Sequence, residues 1–200
     1  MPETRIEEFD AVTITGASIQ FFENGTQQEG TKFGCMGSIT GETEMRDIVK
    51  NCEGVESKKI SKPVRMNNTV NAHIPIQVAR DFFGLSNKDL KPGVWAYGTL
   101  SKGKKFIFTA DVIDEFEDIV KLIAFVNCTN ATGFRIQIEN GSEEVAQLEL
   151  EFSVLPDELK NFYYEALVND LGDETVAKQW HKQFTTDLVK SDGTGGGVEG

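Results

Sequence analysis

Apolar and polar residues alternate strictly in the stretch LELEFSV, residues 148–154. Successive side chains of an extended strand point to opposite faces, so this stretch predicts a strand with one apolar face. The other face carries Glu149, Glu151 and Ser153. We therefore expect a strand within residues 145–155 that covers the hydrophobic core with one side and presents carboxylates on the other.

The preceding stretch TGFRIQIEN, residues 132–140, alternates in the same way. Its apolar positions are Phe134, Ile136 and Ile138, and its polar positions are Arg135, Gln137 and Glu139. An Asn-Gly pair at 140–141 separates the two stretches and is a typical signal for a two-residue hairpin turn. The pattern predicts two paired strands of one sheet, apolar below and charged above.

Turn signals divide the N-terminal part of the chain into further predicted strands. Residues 9–22 are rich in Thr, Ile and Phe and precede Asn24-Gly25, while residues 31–51 and 55–74 flank Glu53-Gly54. Such turn pairs close antiparallel hairpins, so residues 31–74 are predicted to form one long hairpin. Glycines at positions 34, 37 and 41 indicate bulges or bends in its first strand.

Other segments complete the predicted β content and add one short helix. Residues 93–100, 104–114 and 118–127 favour strands, and residues 75–84 favour a helix. Proline suits the first turn of that helix and Gly84 its end. Its apolar side would carry Ile76, Ala79, Phe82 and Phe83.

Apolar residues at helical spacing predict two more helices near the C-terminus. Residues 157–171 carry Leu and aromatic residues three and four positions apart, and residues 173–189 repeat apolar residues every fourth position. The end of the second segment, residues 184–189, also fits a strand. The Gly-rich segment 191–200 predicts a flexible tail.

Together these elements predict a β-rich α+β fold. Two packed antiparallel sheets would form a sandwich or a partial barrel with flanking helices. A chain of 200 residues with 39% hydrophobic content can build one core. We therefore predict a single domain over residues 1–190, with a long hairpin arm at residues 32–74.

The net charge of −12, from 32 acidic and 20 basic residues, excludes a generally basic surface that would hold nucleic acid. The three cysteines lie far apart at positions 35, 52 and 128, so buried free thiols are expected. No segment has the pattern of a signal peptide or a membrane span. We expect a chain that is made in a reducing cytosol and has no membrane partner.

Candidate catalytic chemistry has little support in the sequence. Neither His73 nor His181 has a Ser, Cys or acid at a recognisable triad spacing. The acid cluster at residues 111–118 is of a type that binds hard cations, but the EF-hand spacing is absent and a solvated turn is the simpler interpretation. We predict that the protein is not an enzyme and uses no metal or cofactor.

Basic residues concentrate on the return strand of the long hairpin, at Lys58, Lys59, Lys62 and Arg65. Nucleic acid is one candidate target. Acidic groups on a neighbouring copy of the chain are the other, and they are favoured because charge complementarity orients subunits and this chain has an excess of acid.

The order of elements over residues 111–189 resembles that of the major tail tube proteins of long-tailed bacteriophages. The resemblance is carried by DIVKLIAFVNCTNATGFRIQIENGSEEVAQLELEFSVLPDELKNFYYEAL and by the following segment with Trp180 and Phe184. It is strongest to the proteins of siphophages and prophages of Gram-positive hosts. The N-terminal half is similar in outline, through its long hairpin and the helix at residues 75–84.

This resemblance implies a structural protein of the virion tail, made in the host cytoplasm, that assembles into hexameric rings stacked as a tube. One sheet of each subunit would join its neighbours in a barrel around the lumen, and extended arms would bridge successive rings. The implied partners are further copies of the chain and the tape-measure, terminator and baseplate proteins. Double-stranded DNA would pass through the lumen without being held.

The resemblance also gives the polar strand face a predicted role. Gln137, Glu139, Glu149 and Glu151 would face the lumen, where an acidic wall does not exchange counterions with DNA phosphates and lets the duplex slide. The residues predicted to pack underneath are Ile136, Ile138, Leu148, Leu150 and Phe152. The predicted contact between rings consists of Lys58, Lys59, Lys62 and Arg65.

Two alternatives stay open. A tube subunit of a contractile injection system or a tail terminator would share this fold. From another class of protein, a soluble β-sandwich enzyme or ligand-binding domain would use the acid cluster at residues 111–118 to hold a metal.

Overall fold

The computed structural model describes residues 8–138, 145 and 147–191. Within them the strands are β1 Thr13–Glu23, β2 Thr26–Gln27, β3 Thr31–Lys32, β4 Cys35–Cys52, β5 Val55–His73, β6 Phe106–Asp114, β7 Ile119–Asn130, β8 Leu148–Val154 and β9 Tyr163–Leu167. The helices are α1 Ile76–Phe83, α2 Glu174–Trp180 and α3 Thr186–Val189, with a 3-10 turn at Val168–Asp170. The predicted β-rich antiparallel fold with few helices is confirmed.

The strands of the described residues form one hydrogen-bonded path in the order β2-β1-β6-β7-β8-β5-β4, with β3 on β1 and β9 on β7. Strand β7 divides this path into two halves. Its first part, Lys121–Phe125, pairs with β9, and its last part, Cys128–Asn130, pairs with β8. The change of partner within one strand lets residues of β8 and β6 meet in a shared core, so the two predicted sheets are two halves of one continuous sheet.

Aromatic side chains from the two halves meet in this main core. The ring of Phe152 on β8 lies 5.4 Å from that of Phe106 and 5.7 Å from that of Phe108, both on β6. Leu150 and Phe152 are buried on the face of β8 that the alternating pattern predicted to be apolar. The local alternation therefore identified the side of this strand that faces the core.

A second, smaller core covers the other face of β6 and β7. Trp180 of α2 and Phe184 pack there against Ile107, Leu122 and Ala124. The indole Nε1–H of Trp180 donates a hydrogen bond to the Ile123 carbonyl at 3.0 Å. Because both faces of β6 and β7 are covered, these strands are almost continuously apolar in sequence.

The long hairpin and the first helix were predicted correctly. The chain turns at Glu53 and Gly54, whose φ angles of 52° and 80° are those of a two-residue hairpin turn. Helix α1 ends at Gly84, which has a left-handed φ of 74°. Its buried residues are Val78, Phe82 and Phe83, and Ile76, predicted on the apolar side, is exposed.

The predicted helix at residues 157–171 is wrong, because Tyr163–Leu167 is strand β9. Tyr163 packs on the main core and Tyr164 on the second core, so both faces of this strand are apolar and the period of two disappears. The residues before it form a turn in which the Asp157 carboxylate accepts the backbone N–H groups of Leu159 and Asn161. That turn replaces the first turn of the predicted helix.

The predicted strand at residues 132–140 is also wrong over its described part, residues 132–138, which is irregular. Ile136 and Ile138 are 70% and 81% exposed and do not pack beneath a sheet. Strand β8 pairs instead with β5 along its whole length and with the end of β7. The predicted turn at 140–141 lies outside the described residues.

Three smaller predictions also need correction. Residues 93–100 form no strand and contribute a single bridge, between Ser86 and Ala96. Residues 173–189 fold as two short helices, because Trp180 and Phe184 both turn into the second core. Of the cysteines, Cys128 is buried, which raises the pKa of its thiol, but Cys35 and Cys52 are exposed.

Among the described helices, none has the length and apolarity needed to cross a membrane.

Candidate functional site

The outer part of the long hairpin extends away from the body as a two-stranded ribbon, which we define as residues 44–65. Strand β5 pairs with β4 along its whole length, and from Met66 to Ala72 it also pairs with β8. Before Met66, β4 is its one partner among the described residues. Every residue of the ribbon is exposed. With a rise of about 3.3 Å per residue, the ten positions from residue 44 to the turn extend roughly 30 Å.

Large apolar side chains are exposed on the ribbon: Met45, Ile48, Val49, Val55, Ile60 and Val64. An isolated two-stranded hairpin is only marginally stable in water, because its side chains have no core to cover. Clustered exposed apolar residues typically mark a surface that another molecule covers. The ribbon therefore has the composition of a segment that is completed by a partner.

The ribbon residues predicted for a contact between rings fall into two groups. Lys59 pairs with Asp47 at 2.7 Å, and Arg65 pairs with Glu44 at 3.0 Å, so these two cations are used within the ribbon. The hydrogen bond from Lys59, followed by that from Ser61, lowers the pKa of Asp47.

The other two predicted cations, Lys58 and Lys62, have no acidic partner within 4.0 Å among the described residues. The structure places them opposite two further cations that the sequence analysis missed. Lys58 pairs across the ribbon with Lys50, and Lys62 pairs with Arg46. The signal for this arrangement lies in the strand register, which two bulges shift between the turn and the body.

A second candidate surface is the polar face formed where β8, β5 and β4 lie side by side. Glu149 is opposite Asn71, Glu151 is opposite Thr69, and Ser153 is opposite Asn67. Strand β4 continues this face with Ser38, Thr40 and Glu42, which are opposite Asn71, Thr69 and Asn67. These residues form a broad face of hydroxyl, amide and carboxylate groups on the side of the strands that points away from the main core.

The carboxylates of this face share one cation. The guanidinium of Arg135 hydrogen-bonds to Glu149 through Nη1 and to Glu151 through Nη2, the second bond at 2.9 Å. The bond to Glu149 is the largest cause that raises the pKa of Arg135. Arg135 therefore belongs to the polar face, and two carboxylates oppose one guanidinium there.

The remaining residues predicted to face a lumen are less defined by the structure. Gln137 is exposed on the irregular segment that follows Arg135. Glu139 lies outside the described residues. The structure brings together Glu149 and Glu151 on the predicted face, and the role of all four residues stays a prediction.

The structure brings His181 next to an acid and a hydroxyl that the sequence spacing did not reveal. Its Nε2 lies 2.8 Å from Asp111 Oδ1, and its Nδ1 lies 2.9 Å from Thr109 Oγ1. This order of groups is the one used by nucleophilic hydrolases. Thr109, however, is 0% exposed, so no substrate reaches its hydroxyl. The contact joins the end of α2 to β6 and has a structural role.

The acidic residues of the cluster at residues 111–118 have different hydrogen-bond partners. Asp111 binds His181, and the Asp114 carboxylate accepts the backbone N–H groups of Asp10, Phe116 and Glu117. These bonds, that of Asp10 first, lower the pKa of Asp114. Within residues 8–138, 145 and 147–191, no three His, Cys, Asp or Glu residues are grouped so as to hold a metal ion.

Comparisons with known proteins give only distant similarity. No family model matches the chain. No curated protein matches it either. Among solved structures, the fold is similar to a chain of the cryo-EM structure of the anti-feeding prophage cap, a tube terminating cap, with a TM-score of 0.42 and 13% identity over 84% of this chain and 99% of that one. At these values the similarity is too distant to assign a family or a function.

Proposed function

We propose that this chain is a structural subunit of a phage-tail-like tube. Copies would join side by side into rings, and the rings would stack through their ribbons. The observation that carries this proposal is the ribbon, a long exposed hairpin with apolar side chains and cations that its own chain leaves uncovered. A protein that acts alone has no physical reason to keep such a surface in water.

The free edge of the sheet supports side-by-side assembly. Strand β4 is the last strand of the path, so one edge of its body part, residues 35–43, has no strand partner among the described residues. An unpaired edge of this kind attracts other strands, and pairing with a neighbouring subunit in a closed ring satisfies its backbone groups. The same edge is next to the polar face, which would then continue from subunit to subunit.

In such a ring, we propose that Gln137, Glu139, Glu149 and Glu151 face the lumen and that DNA passes across them. Glu149 and Glu151 outnumber Arg135, their shared cation, and their neighbours on β5 and β4 are uncharged amides and hydroxyls apart from Glu42. A wall with few free cations neutralises few phosphates and therefore does not hold a duplex. Six subunits per ring is the number that the family resemblance implies.

Electron microscopy of the purified protein tests the proposal directly. Rings or hollow filaments are expected at high protein concentration, together with high-mass species in light scattering. Single rings that never stack would instead indicate a terminator, which needs the lateral contact but ends the tube. A protein that stays monomeric at all concentrations would contradict the proposed function.

Reversing the charge of the polar face is expected to make assembled tubes retain DNA. In a Glu149→Lys, Glu151→Lys variant, two ammonium groups and the guanidinium of Arg135 would replace a face with excess carboxylate. Tubes assembled in the presence of a short fluorescent duplex should co-sediment with it at low salt and release it as salt rises. Wild-type tubes should sediment without the duplex.

A matched control places the same charge change elsewhere on the surface. Glu158 and Glu174 are exposed and lie outside the polar face, so a Glu158→Lys, Glu174→Lys variant alters net charge equally. If this control retains the duplex as strongly as the Glu149, Glu151 variant, those two glutamates do not line the lumen.

A further inference from the structure

The two faces of the ribbon differ in charge. Between the two bulges, cross-strand pairing joins Arg46 to Lys62, Ile48 to Ile60, and Lys50 to Lys58. Since residues two apart in a strand share a face, these six side chains lie together. We call them the basic face: a central isoleucine pair with a pair of cations on each side.

The opposite face of the ribbon is balanced within itself. It carries the Asp47–Lys59 ion pair, with Ser61 donating to the same carboxylate. On the basic face, by contrast, each cation is directly opposite another cation, and such pairs destabilise a strand pair. None of these four cations has an acidic partner within 4.0 Å in the part of the chain that the structure describes. The basic face is therefore complementary to a surface that has carboxylates around an apolar side chain.

The turn between β6 and β7 has that composition. Its four residues are Glu115, Phe116, Glu117 and Asp118, and all are exposed. Phe116 is 78% exposed, which leaves a large aromatic ring in water between carboxylates. We call these four residues the acidic turn.

The acidic turn is held in a fixed shape. Asp114, which is 2% exposed, accepts hydrogen bonds from the backbone N–H groups of Phe116 at 2.9 Å and Glu117 at 3.3 Å. Asp118 has a left-handed φ of 53°, which Asp tolerates better than most residues. A turn fixed in advance loses little conformational freedom on binding, which favours its use as a contact.

We propose that the acidic turn of one copy docks on the basic face of the ribbon of a second copy. Phe116 would cover Ile48 and Ile60, and Glu115, Glu117 and Asp118 would lie beside the four cations. Both surfaces are open in a single chain, so the contact joins two copies head to tail. This inference rests on the proposed function, because it names what the ribbon of a stacked subunit binds.

Two charge-reversed variants test the contact when they are mixed. The ribbon variant is Lys58→Glu, Lys62→Glu, and the turn variant is Glu115→Lys, Glu117→Lys. Alone, the ribbon variant leaves two cations and two carboxylates on the basic face, and the turn variant leaves two cations beside Asp118. Each change removes the net attraction between the two surfaces, so the fraction that sediments as tubes should fall at least about tenfold. In an equimolar mixture, each reversed ribbon meets a reversed turn and each native ribbon meets a native turn. Assembly should recover well above the level of either variant alone, with the two variants alternating.

A third variant controls for charge change as such. Lys102→Glu, Lys105→Glu makes the same change on another exposed basic loop and should assemble normally. Circular dichroism of each variant before mixing checks that it is folded. If a reversed variant does not fold, a neutral variant replaces it: Lys58→Gln, Lys62→Gln for the ribbon or Glu115→Gln, Glu117→Gln for the turn. A separate Phe116→Ala variant removes the apolar contact without a change of charge. Each of these variants should weaken assembly.

The outcomes separate this contact from the proposed function. If the wild type assembles but either reversal leaves assembly unchanged, or if the mixture does not restore it, the docking contact is wrong and the tube proposal stands. If the neutral forms and Phe116→Ala assemble like the wild type, the contact is likewise wrong. If the wild type itself never assembles, both proposals fail.

Discussion

Removal of the ribbon should yield a folded protein that no longer stacks into tubes. The change replaces residues 45–64 by Asn-Gly, so that the Glu44–Arg65 pair flanks a new two-residue turn. No residue in this range is buried, and both hydrophobic cores are formed by other residues. The body therefore keeps its packing, and the loss falls on contacts with other copies.

Three measurements check this prediction. Circular dichroism and urea unfolding should show a body of nearly unchanged stability, and light scattering should show single rings or smaller species where the wild type forms stacked tubes. The control is Glu53→Asn, which keeps the ribbon and places a residue suited to a positive φ at the turn. Normal tubes from the truncated chain would mean that the ribbon does not carry the stacking of rings.

The largest effect on stability is expected for Trp180→Ala. Trp180 is 1% exposed, its ring centroid lies 4.8 Å from that of Phe184, and its indole N–H bonds to the Ile123 carbonyl. Deletion of a large buried aromatic side chain leaves a cavity and costs about 3–5 kcal/mol of unfolding free energy. The change also weakens the packing of α2 on β6 and β7, since Trp180 joins α2 to the outer face of these strands.

The second tryptophan of the chain gives a matched control. Trp95 is only half-buried and stacks under the guanidinium of Arg80, 4.4 Å from its ring centroid. Trp95→Ala should therefore cost roughly 1 kcal/mol. Urea unfolding followed by far-ultraviolet circular dichroism compares the two variants. Equal losses would show that the second core contributes little to the stability of the body.

The polar contacts around Trp180 explain why the C-terminal segment follows the sheet so closely. Gln20 of β1 is buried and donates to the Trp180 carbonyl at 3.1 Å, while its side-chain oxygen accepts the backbone N–H of Phe184 at 2.8 Å. Ser18 donates to the His181 carbonyl at 2.7 Å. These side chains satisfy backbone groups that the short helices leave unpaired. The partners in these hydrogen bonds are far apart in sequence, so no local sequence pattern predicts the bonds.

Local chemistry explains which predictions succeeded. The turn at Glu53-Gly54 and the end of α1 at Gly84 depend on backbone angles that a few neighbouring residues set. The strand Leu148–Val154 has one core face and one exposed face, so its alternation survives in the sequence. These features were read correctly because their physical causes lie within a few residues.

The failed predictions have causes outside the segments concerned. Tyr163–Leu167 is a strand because two separate cores cover its two faces, which gives it the apolar spacing of a helix. Residues 132–138 alternate like a strand, but β5 and β7 occupy the pairing positions beside β8. In both cases a neighbour in space overrides the local pattern.

The sequence by itself determined strands β1 and β4 to β8, the long hairpin, and the excess of acid against which the basic residues of the ribbon stand out. Only the tertiary structure decided which cations share a face. Bulges between Glu44 and Met45 and between Lys50 and Asn51 shift the register of the ribbon, and a shift of one residue moves a side chain to the other face. Lys59 therefore pairs within the ribbon, while Lys58 and Lys62 join Arg46 and Lys50 on a face that its own chain leaves unbalanced.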